Sequence, residues 1–287
     1  MKKSKRIQKW IVLLCLGLCL FTSCGNKPEA KEGKNRLEKI KERGYIEVVT
    51  EPYFAPYEFI DPAKAEGEKV LGADMELAKY IAEKLGVDLR IVPLEFSAVL
   101  SGVSTGKYDL AISAIGYTPE RNEAIELSKG YAFSADDQKA HGLLIREGDL
   151  DKIRGPKDLE EKIIVAQSGS LQEGFVNREV LKTKEFKKVS ASTDGYLMVQ
   201  EGKADAAAVN KKAAQLYIDA NKDCGLVIVE GFSFTEPKEW AGNRIGMPKG
   251  EKELLEAVNQ CIDEVVKSGK FPSWEKEYTD VAKKLGL

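Results

Sequence analysis

One arginine in the middle of the chain lies where a cation is unfavourable unless an anion joins it. In the stretch AISAIGYTPERNEAIELS, Thr118 and Pro119 predict the start of a helix, with the threonine as its cap. Arg121 then lies in the first turn, whose unpaired N–H groups favour anions. Its guanidinium has the planar fork of donors that matches a carboxylate. Arg121 is therefore either neutralised locally by Glu120 or Glu123 or paired with an anion from outside the chain.

The sequence offers few residues for nucleophilic or metal chemistry. His141 is the one histidine, and no CxxC or HExxH pattern occurs, so we expect neither a zinc site nor a histidine-based triad, and no cofactor. Cys15 and Cys19 lie in the N-terminal segment discussed next. Cys224 follows a turn and Cys261 lies in a helical run, so we expect two separate thiols rather than a disulfide.

The first two dozen residues have the pattern of an export signal. MKKSKRIQK has five basic residues and no acid, WIVLLCLGLCLF is apolar, and TSCG supplies small residues. Twelve helical residues span about 18 Å against about 30 Å of hydrocarbon, so this run is not a permanent span. LFTSCG resembles the lipobox of bacterial lipoproteins, which implies removal of residues 1–23 and lipidation of Cys24. A plain secretory signal is the alternative.

The chain left after cleavage is acidic. Residues 1–23 hold five of the 44 basic residues and none of the 46 acidic ones, which leaves a net charge of about −7 and argues against nucleic acid or an anionic membrane surface as partner. Residues 25–35, GNKPEAKEGKN, are polar and contain Gly and Pro. We therefore expect residues 24–36 to form a lipidated cysteine with a flexible tether.

Two α/β series follow the tether. In the first, the strands are YIEVVTE, VDLRIVP and DLAISAI, and the helices between them are DMELAKYIAEKLG and FSAVLSGVSTG. Short links in this order predict parallel strands joined by crossover helices. In the second, the strands are HGLLIR, IIVAQ, FKKVSA, ADAAAVN and LVIVEG, and the helices are SGSLQEGFVNREVL, DGYLMVQEG and KKAAQLYIDAN. The periodic segments EKELLEAVNQCIDEVVKSG and FPSWEKEYTDVAKKLG predict two C-terminal helices that return to the first series.

Five motifs in a fixed order carry a family resemblance. They are EPYFAPYEF, LGADMELAKYIAEKLG, GKYDLAISAIGYTPER, IVAQSGSLQE and EGKADAAAVN. The chain resembles the extracytoplasmic solute-binding proteins of ABC importers, polar amino-acid class (family 3), over residues 37–287. The resemblance implies the type II fold, in which two α/β lobes joined by two hinge strands close over one ligand. Lobe 1 would comprise residues 37–136 and 241–287, and lobe 2 residues 137–240 with hinge segments at both ends.

The resemblance also implies roles for residues of lobe 1. Arg121 matches the arginine that clamps the ligand's α-carboxylate. Phe54 and Phe96 match rings that sandwich the ligand's side chain, with Tyr57 on the same wall; ordinary core packing is the alternative for the two phenylalanines. A further group matches positions that hydrogen-bond the ligand's polar groups, although two of its members lack the hydroxyl that many relatives have there. This group is Ser113, Ala114 and Gly116, of which the last two lack the hydroxyl.

In lobe 2, Ser170 and Leu171 match a segment whose backbone N–H groups complete the carboxylate cage, and a plain helix cap is the alternative. Asn210 departs from the family, because an aspartate usually pairs there with the α-ammonium. Either Glu51 takes that charge, or the ligand's amino group differs from that of an ordinary α-amino acid. Glu51 also matches a position that reaches a cationic side-chain tip, so both roles stay open.

The function implied by the resemblance is capture of a small amino acid or close analogue by hinge closure. The closed protein would act as a monomer and dock on a membrane permease whose ATPase lies in the cytoplasm, while the lipid holds it outside the cytoplasm at the cell membrane. No catalysis is required. Two alternatives remain: a dehydratase-like enzyme with Glu51 as its acid or base, and a sensor acting through a separate receptor. Arginine-like, glutamine-like and sulfur-containing ligands all remain open.

Overall fold

The computed structural model describes residues 33–133 and 137–287. The predicted export signal, Cys24 and most of the predicted tether lie outside the described residues. Residues Lys34–Leu287 form one compact unit. Within the two described ranges, no helix has the length and apolar character needed to cross a membrane.

The described ranges contain thirteen strands and nine α-helices. The strands are β1 (Tyr45–Thr50), β2 (Tyr53–Phe54), β3 (Glu58–Ile60), β4 (Val70–Leu71), β5 (Asp88–Pro93), β6 (Leu110–Ile115), β7 (Glu126–Leu127), β8 (His141–Arg146), β9 (Ile163–Gln167), β10 (Glu185–Val189), β11 (Ala206–Asn210), β12 (Leu226–Ile228) and β13 (Arg244–Met247). The helices are α1 (Arg36–Arg43), α2 (Ala73–Leu85), α3 (Phe96–Ser104), α4 (Pro119–Ala124), α5 (Leu171–Glu179), α6 (Ser192–Gln200), α7 (Lys211–Ala220), α8 (Lys252–Ser268) and α9 (Lys270–Leu285).

The first five-stranded sheet has the order β5-β1-β6-β13-β7, and we call the part of the molecule built on it lobe 1. Strand β1 pairs in parallel with β5 and β6, which confirms the predicted β-α-β-α-β arrangement. Strand β13 comes from the C-terminal part of the chain and pairs antiparallel with β6 and β7. Helix α2 covers one face and ends at Gly86, whose left-handed conformation (φ 71°) closes the helix as the sequence predicted.

The second five-stranded sheet has the order β10-β9-β11-β8-β12 and carries lobe 2. Strand β9 pairs in parallel with β10 and β11, whereas β8 is antiparallel to β11 and β12. Each strand and helix predicted in the second series is present. Two apolar clusters, one on each face of this sheet, hold helices α5 and α6 against it.

The C-terminal helices return to lobe 1 as predicted, but α9 also reaches lobe 2. Helix α8 buries Leu254, Val258, Ile262 and Val265 in the main core of lobe 1. Helix α9 instead packs against both α2 and α7. Its Tyr278 and Ala282 share an apolar cluster with Phe59 of lobe 1 and Leu216 of lobe 2. Helix α9 therefore contacts both lobes, whereas the sequence placed it against the first series alone.

Strands β7 and β13 of the first sheet were not predicted, and neither were two further parts of lobe 1. Helix α1 begins at Arg36, inside the stretch expected to be tether, and its N-terminus is closed by a capping box between Asn35 and Glu38. Arg36 donates from Nη1 to Asp109 (2.9 Å), which fixes the helix to the start of β6. The second unpredicted part is a small antiparallel sheet of β2, β3 and β4.

Candidate functional site

A cleft of about 650 Å³ separates the two lobes. It lies outside the carboxyl ends of parallel strands from both sheets, where open α/β sheets usually bind ligands. All eleven site residues predicted from the sequence line it: Glu51, Phe54, Tyr57, Phe96, Ser113, Ala114, Gly116, Arg121, Ser170, Leu171 and Asn210. The structure therefore brings the whole predicted set together, although its residues are spread over some 160 positions of the chain.

Arg121 bridges the two lobes across this cleft. Its Nη1 donates to the Gly116 carbonyl of lobe 1 (2.7 Å) and its Nη2 to the Gly169 carbonyl of lobe 2 (2.6 Å). The guanidinium carbon lies 5.5 Å from the centre of the Phe96 ring. Among the ion pairs of the described residues none involves Arg121, so the alternative of a surface salt bridge is not what the structure shows. A guanidinium has five N–H donors, and three remain for another acceptor.

The local backbone explains where this arginine lies. The Thr118 hydroxyl accepts from the Arg121 N–H at 3.1 Å, and Pro119 opens helix α4, as the sequence predicted. Burial lowers the pKa of Arg121 to about 10, because the cation has lost water and the charge of Glu120 opposes this effect only in part. Arg121 is still charged at neutral pH and presents its positive charge to the cleft.

Aromatic rings form one wall of the cleft. The Phe54 and Tyr57 rings stack with centroids 5.8 Å apart, and Tyr57 stacks in turn on Phe271 of α9 at 6.4 Å. Phe96 is 7% exposed and belongs to an apolar cluster of lobe 1 while it also faces the cleft. Core packing and a place in the cleft wall, which were alternatives for Phe96 from sequence, are therefore both realised.

The floor of the cleft is the end of strand β6. The Ser113 hydroxyl accepts from the Glu51 N–H (3.0 Å) and donates to Glu58 Oε1 (3.2 Å). Ala114 has a φ of 44°, which is unusual for a residue with a side chain. Its N–H donates to Asp74 Oδ2 at 2.8 Å. The floor is thus held by side chains from the small sheet and from α2 as well as by the strands of its own sheet.

Glu58 and Asp74 were not predicted as site residues. Both are buried at the floor, where Glu58 also lines the cleft, and Asp74 Oδ2 also accepts from the Tyr131 hydroxyl (2.8 Å). Burial raises the pKa of both carboxyl groups, and the neighbouring Asp74 raises that of Glu58 further. No sequence signal separated them from surface acids, because Asp74 has the pattern of an ordinary acid in the first turn of a helix.

Glu51 is a buried carboxyl group without a cation. Burial raises its pKa to about 8, while a hydrogen bond from the Gln167 side chain of lobe 2 opposes the rise. Its Oε1 atom is buried and has no hydrogen-bond partner. The cleft therefore contains the buried guanidinium of Arg121, lysines that include Lys139, and, separately from Arg121, a buried acid that would be stabilised as an anion by an incoming cation.

Ser170 and Leu171 bring the start of α5 to the cleft. The Ser170 hydroxyl caps this helix by accepting from the Glu173 N–H at 3.1 Å. Leu171 packs on Gly116 of lobe 1 so closely that a Cβ built at Gly116 would lie 2.4 Å from Leu171 Cδ1. A side chain at position 116 would therefore fit only if Leu171 moved.

Asn210 is both a wall of the cleft and a helix cap. Its Oδ1 accepts from the Ala213 N–H at 3.1 Å, which closes the N-terminus of α7. Asparagine is among the best residues for this position. An aspartate, which the family resemblance predicts at this position, would also cap the helix, so asparagine keeps the cap and lacks only the charge.

The side of the cleft next to the connections between the lobes contains polar groups that the sequence did not single out. His141 Nδ1 lies 2.9 Å from Gln172 Nε2, and His141 Nε2 lies 3.4 Å from Glu236 Oε2. Trp240 and Lys139 also line this side. Within the described part of the chain, no group of three or more His, Cys, Asp or Glu residues has the arrangement of a metal site. Cys224 and Cys261 are buried free thiols, as predicted.

Comparison with known proteins gives one consistent answer. The family model "Bacterial extracellular solute-binding proteins, family 3" matches residues 46–281. A similar curated protein is the arginine-binding extracellular protein ArtP of Bacillus subtilis, 26% identical over 95% of this chain and 98% of the relative. Another is the L-cystine-binding protein TcyJ of Escherichia coli K12, 25% identical over 93% of this chain and 95% of the relative.

A solved structure of an amino-acid-binding protein is also similar to this chain. An amino acid ABC transporter substrate-binding protein from Streptococcus pneumoniae, crystallised with L-arginine, superposes with a TM-score of 0.75. It is 29% identical, and the match covers 86% of this chain and 98% of that one. The fold class predicted from sequence, two α/β lobes of the periplasmic-binding-protein type, is confirmed.

Proposed function

Because the chain belongs to the bacterial extracellular solute-binding proteins of family 3, we propose that it captures an α-amino acid between its lobes and delivers it to the permease of an ABC importer. The observation that carries this proposal is the position of Arg121, a charged guanidinium without a carboxylate partner in a cleft between two lobes. The permease would be powered by an ATPase on the cytoplasmic side.

In this proposal Arg121 clamps the ligand's α-carboxylate. Its bonds to the Gly116 and Gly169 carbonyls fix the plane of the guanidinium and leave three N–H groups for the carboxylate. The first turn of α5, which begins after Ser170, supplies further backbone donors. Phe54 and Phe96 would enclose the ligand's side chain from the aromatic wall.

We take the ligand to be an amino acid with a basic side chain, and L-arginine is the first to test. Glu51 supports this choice, because its unpartnered Oε1 would gain a cationic partner. A relative named for arginine binding and a solved structure with bound L-arginine point the same way. The α-ammonium would then rest on Asn210 Oδ1, which has accepted one hydrogen bond and has a second lone pair.

A thermal-shift screen of the purified protein tests the proposal. The compounds are L-arginine, its decarboxylated amine agmatine, its deaminated acid, L-glutamine and L-cystine. A ligand at 100 times its Kd stabilises the fold by about 2.7 kcal/mol, which is easily measured. We expect the largest shift with L-arginine and none with agmatine. Absence of a shift with every amino acid would overturn the proposal, and shifts with the deaminated acid alone would overturn the amino-acid class while keeping the clamp.

The protein acts in this proposal by binding alone, without turnover. Glu51 is the one acid among the predicted site residues, and we assign it to the ligand's cation rather than to proton transfer. Incubation with L-arginine should therefore return the amino acid unchanged, as measured by chromatography after denaturation. A new product that disappears in Glu51→Gln would instead support the enzyme alternative.

We further propose that the protein is a monomer held at the outer face of the cell membrane by a lipid on Cys24. The support is the export-signal pattern of residues 1–23 and its lipobox-like end. Labelled palmitate should be incorporated into the expressed protein and should be absent from Cys24→Ala, which should leave the membrane fraction. Equal labelling of the two forms would contradict the anchor.

A further inference from the structure

Strand β6 carries an irregularity at the floor of the cleft. In its pairing with β13, Ile115 lies opposite Arg244 and Ala111 lies opposite Gly246, so four steps on one strand match two on the other. Extra residues of this kind make a bulge, and bulges near functional sites redirect the chain. Ala114 lies inside the bulge and adopts the left-handed conformation, with φ 44°.

That conformation requires support. For a residue with a Cβ, the left-handed region is unfavourable, whereas glycine adopts it freely. The Ala114 N–H donates to Asp74 Oδ2 at 2.8 Å, and the Tyr131 hydroxyl donates to the same oxygen at 2.8 Å. Asp74 is fully buried in the first turn of α2. A helix of lobe 1 therefore holds the bulge through one carboxylate.

Asp74 is paired with a second buried acid. Asp74 Oδ1 and Glu58 Oε2 are buried atoms without a hydrogen-bond partner, and the charge of the neighbouring Asp74 adds to the burial that raises the pKa of Glu58. Two adjacent buried carboxylates cannot both be ionised at low cost, so one proton between them is expected. Asp74 accepts from two donors through its other oxygen, which marks it as the ionised member. Glu58 is then the member that keeps the proton.

The pair also reaches the other residues of the floor. Glu58 Oε1 accepts from the Ser113 hydroxyl, which in turn accepts from the N–H of Glu51. Ser113 and Ala114 line the cleft, and Glu51 is the group to which we assign the ligand's cation. Hydrogen bonds thus connect the acid pair to three residues that line the cleft, which are Ser113, Ala114 and Glu51.

We propose that Asp74, with the buried Glu58 beside it, is a positioning residue for ligand binding that holds Ala114 in its left-handed conformation and thereby sets the shape of the cleft floor. The inference rests on the proposed function only in taking this floor to contact the ligand. Its distinguishing consequence is that glycine at position 114, which needs no support for this conformation, should replace part of what Asp74 does.

The first experiment measures L-arginine affinity by calorimetry in a set of variants. Asp74→Ala should weaken binding at least tenfold, and adding Ala114→Gly should recover about fivefold, since 1 kcal/mol of backbone cost corresponds to that factor. Glu58→Gln should bind within about threefold of the wild type, because its amide can donate to Asp74 and its oxygen can accept from Ser113. Failure of Ala114→Gly to recover any affinity would overturn the proposal.

Asp109 supplies a matched control at the opposite end of β6. It is also fully buried and accepts from Arg36 and from the Glu47 N–H, but it is remote from the cleft. Asp109→Ala should lower the melting temperature without changing affinity, and Ala114→Gly should rescue nothing in that background. An equal loss of affinity in Asp109→Ala and Asp74→Ala would mean that both act only through stability. If Asp74→Ala does not fold, Asp74→Ser with and without Ala114→Gly takes its place.

A second experiment needs no ligand. Hydrogen exchange of the Ala114 amide, followed by NMR, should be slow in the wild type, unchanged in Asp109→Ala and at least tenfold faster in Asp74→Ala. Fast exchange in the wild type would overturn the inference whatever the ligand is. If L-arginine and all other amino acids fail to bind while Ala114 is protected, the proposed function is wrong and the acid pair still supports the bulge.

Discussion

Arg121 combines two tasks in one side chain, since it links the carbonyls of Gly116 and Gly169 across the cleft and keeps donors for a ligand. We expect Arg121→Ala to weaken amino-acid binding by 100-fold or more, because each hydrogen bond to a charged group contributes about 1.5–3 kcal/mol. Arg121→Lys keeps the charge but lacks the planar fork of donors, so its affinity should lie between those of the wild type and Arg121→Ala. Calorimetry gives the affinities, and the melting temperature of ligand-free Arg121→Ala should stay close to that of the wild type. Near-normal affinity in this variant would contradict the clamp.

Glu51 predicts how binding depends on pH. Because burial raises its pKa to about 8, the group is mostly protonated in the ligand-free protein at pH 7. A cationic ligand favours the ionised form, so the proton leaves as the ligand binds. We expect the affinity for L-arginine to rise from pH 6 to pH 8, by up to about tenfold per unit, and calorimetry in buffers of different ionisation enthalpy to detect the released proton. In Glu51→Gln, the pH dependence of the affinity and the release of the proton should both vanish. If they persist, a group other than Glu51 loses the proton.

The same carboxyl links the stability of the ligand-free protein to pH. The pKa in the folded state, about 8, lies above the ordinary value of 4.5, so the folded state binds more protons between these values. The contribution of Glu51 to the free energy of unfolding is therefore complete below about pH 4.5. Between about pH 4.5 and pH 8 it falls by about 1.4 kcal/mol per pH unit, and above pH 8 it is lost. Urea unfolding at several pH values should show a shallower decline in Glu51→Gln than in the wild type.

The order of sequence motifs located the predicted binding residues, but it did not reveal what supports them. All eleven predicted residues line one cleft, since each lies in or next to a motif at the end of a strand or the start of a helix. Glu58 and Asp74 were missed because nothing in a single sequence distinguishes a buried acid from an exposed one. Their importance comes from the partners Ser113 and Ala114, which lie some 40 to 55 positions away and meet them only in the fold.

At the scale of elements, the contact between the start of α5 and the end of β6 sets how closely the lobes approach. A side chain at Gly116 would collide with Leu171 at 2.4 Å. We expect Gly116→Ser to weaken binding about tenfold by holding the lobes apart, and Leu171→Ala to restore part of the affinity in that background. Gly174 of α5 has open space around its Cα, so Gly174→Ser is the control and should bind normally. Unchanged affinity in Gly116→Ser would show that closure does not depend on this contact.

Most elements could be predicted because their signals are local. Alternation, helical periodicity and caps such as Thr118 and Gly86 mark the strands and helices of both sheets. Helix α1 escaped prediction because it has eight mostly polar residues and buries only Ile40, although its Asn35–Glu38 capping box was a usable signal. The contact of α9 with α7 of lobe 2 could not be predicted, because the apolar pattern of a helix does not identify the elements against which it packs.

At the scale of the whole molecule, the proposed closure of the lobes is an equilibrium, and contacts between the lobes should bias it even without a ligand. Leu216 of α7 packs with Tyr278 of α9, and Lys212 lies 2.6 Å from Glu275. A ligand can shift this equilibrium only by the difference between its affinities for the open and the closed state. The apparent Kd equals the intrinsic one divided by the closed fraction, so weakening these contacts should weaken binding without touching the site.

Leu216→Ala tests this coupling. The variant removes an apolar side chain from the cluster shared by both lobes, and we expect a larger radius of gyration in solution scattering together with several-fold weaker ligand binding. Leu226→Ala is the matched control, because Leu226 is equally buried but packs entirely within lobe 2. It should lower the melting temperature and leave the radius unchanged. Identical behaviour of the two variants would place Leu216 in the core of lobe 2 alone.

The placement of the tryptophans gives the molecule a built-in optical reporter. The chain has three, and Trp10 lies in the segment predicted to be removed, which leaves Trp240 on the wall of the cleft and Trp274 packed in α9 against Phe271. A ligand that fills the cleft changes the surroundings of Trp240 directly and those of Trp274 through the movement of α9 alone. The emission of Trp240→Phe would therefore follow motion, and that of Trp274→Phe would follow occupancy, so stopped-flow traces of the two variants could show which of these events comes first.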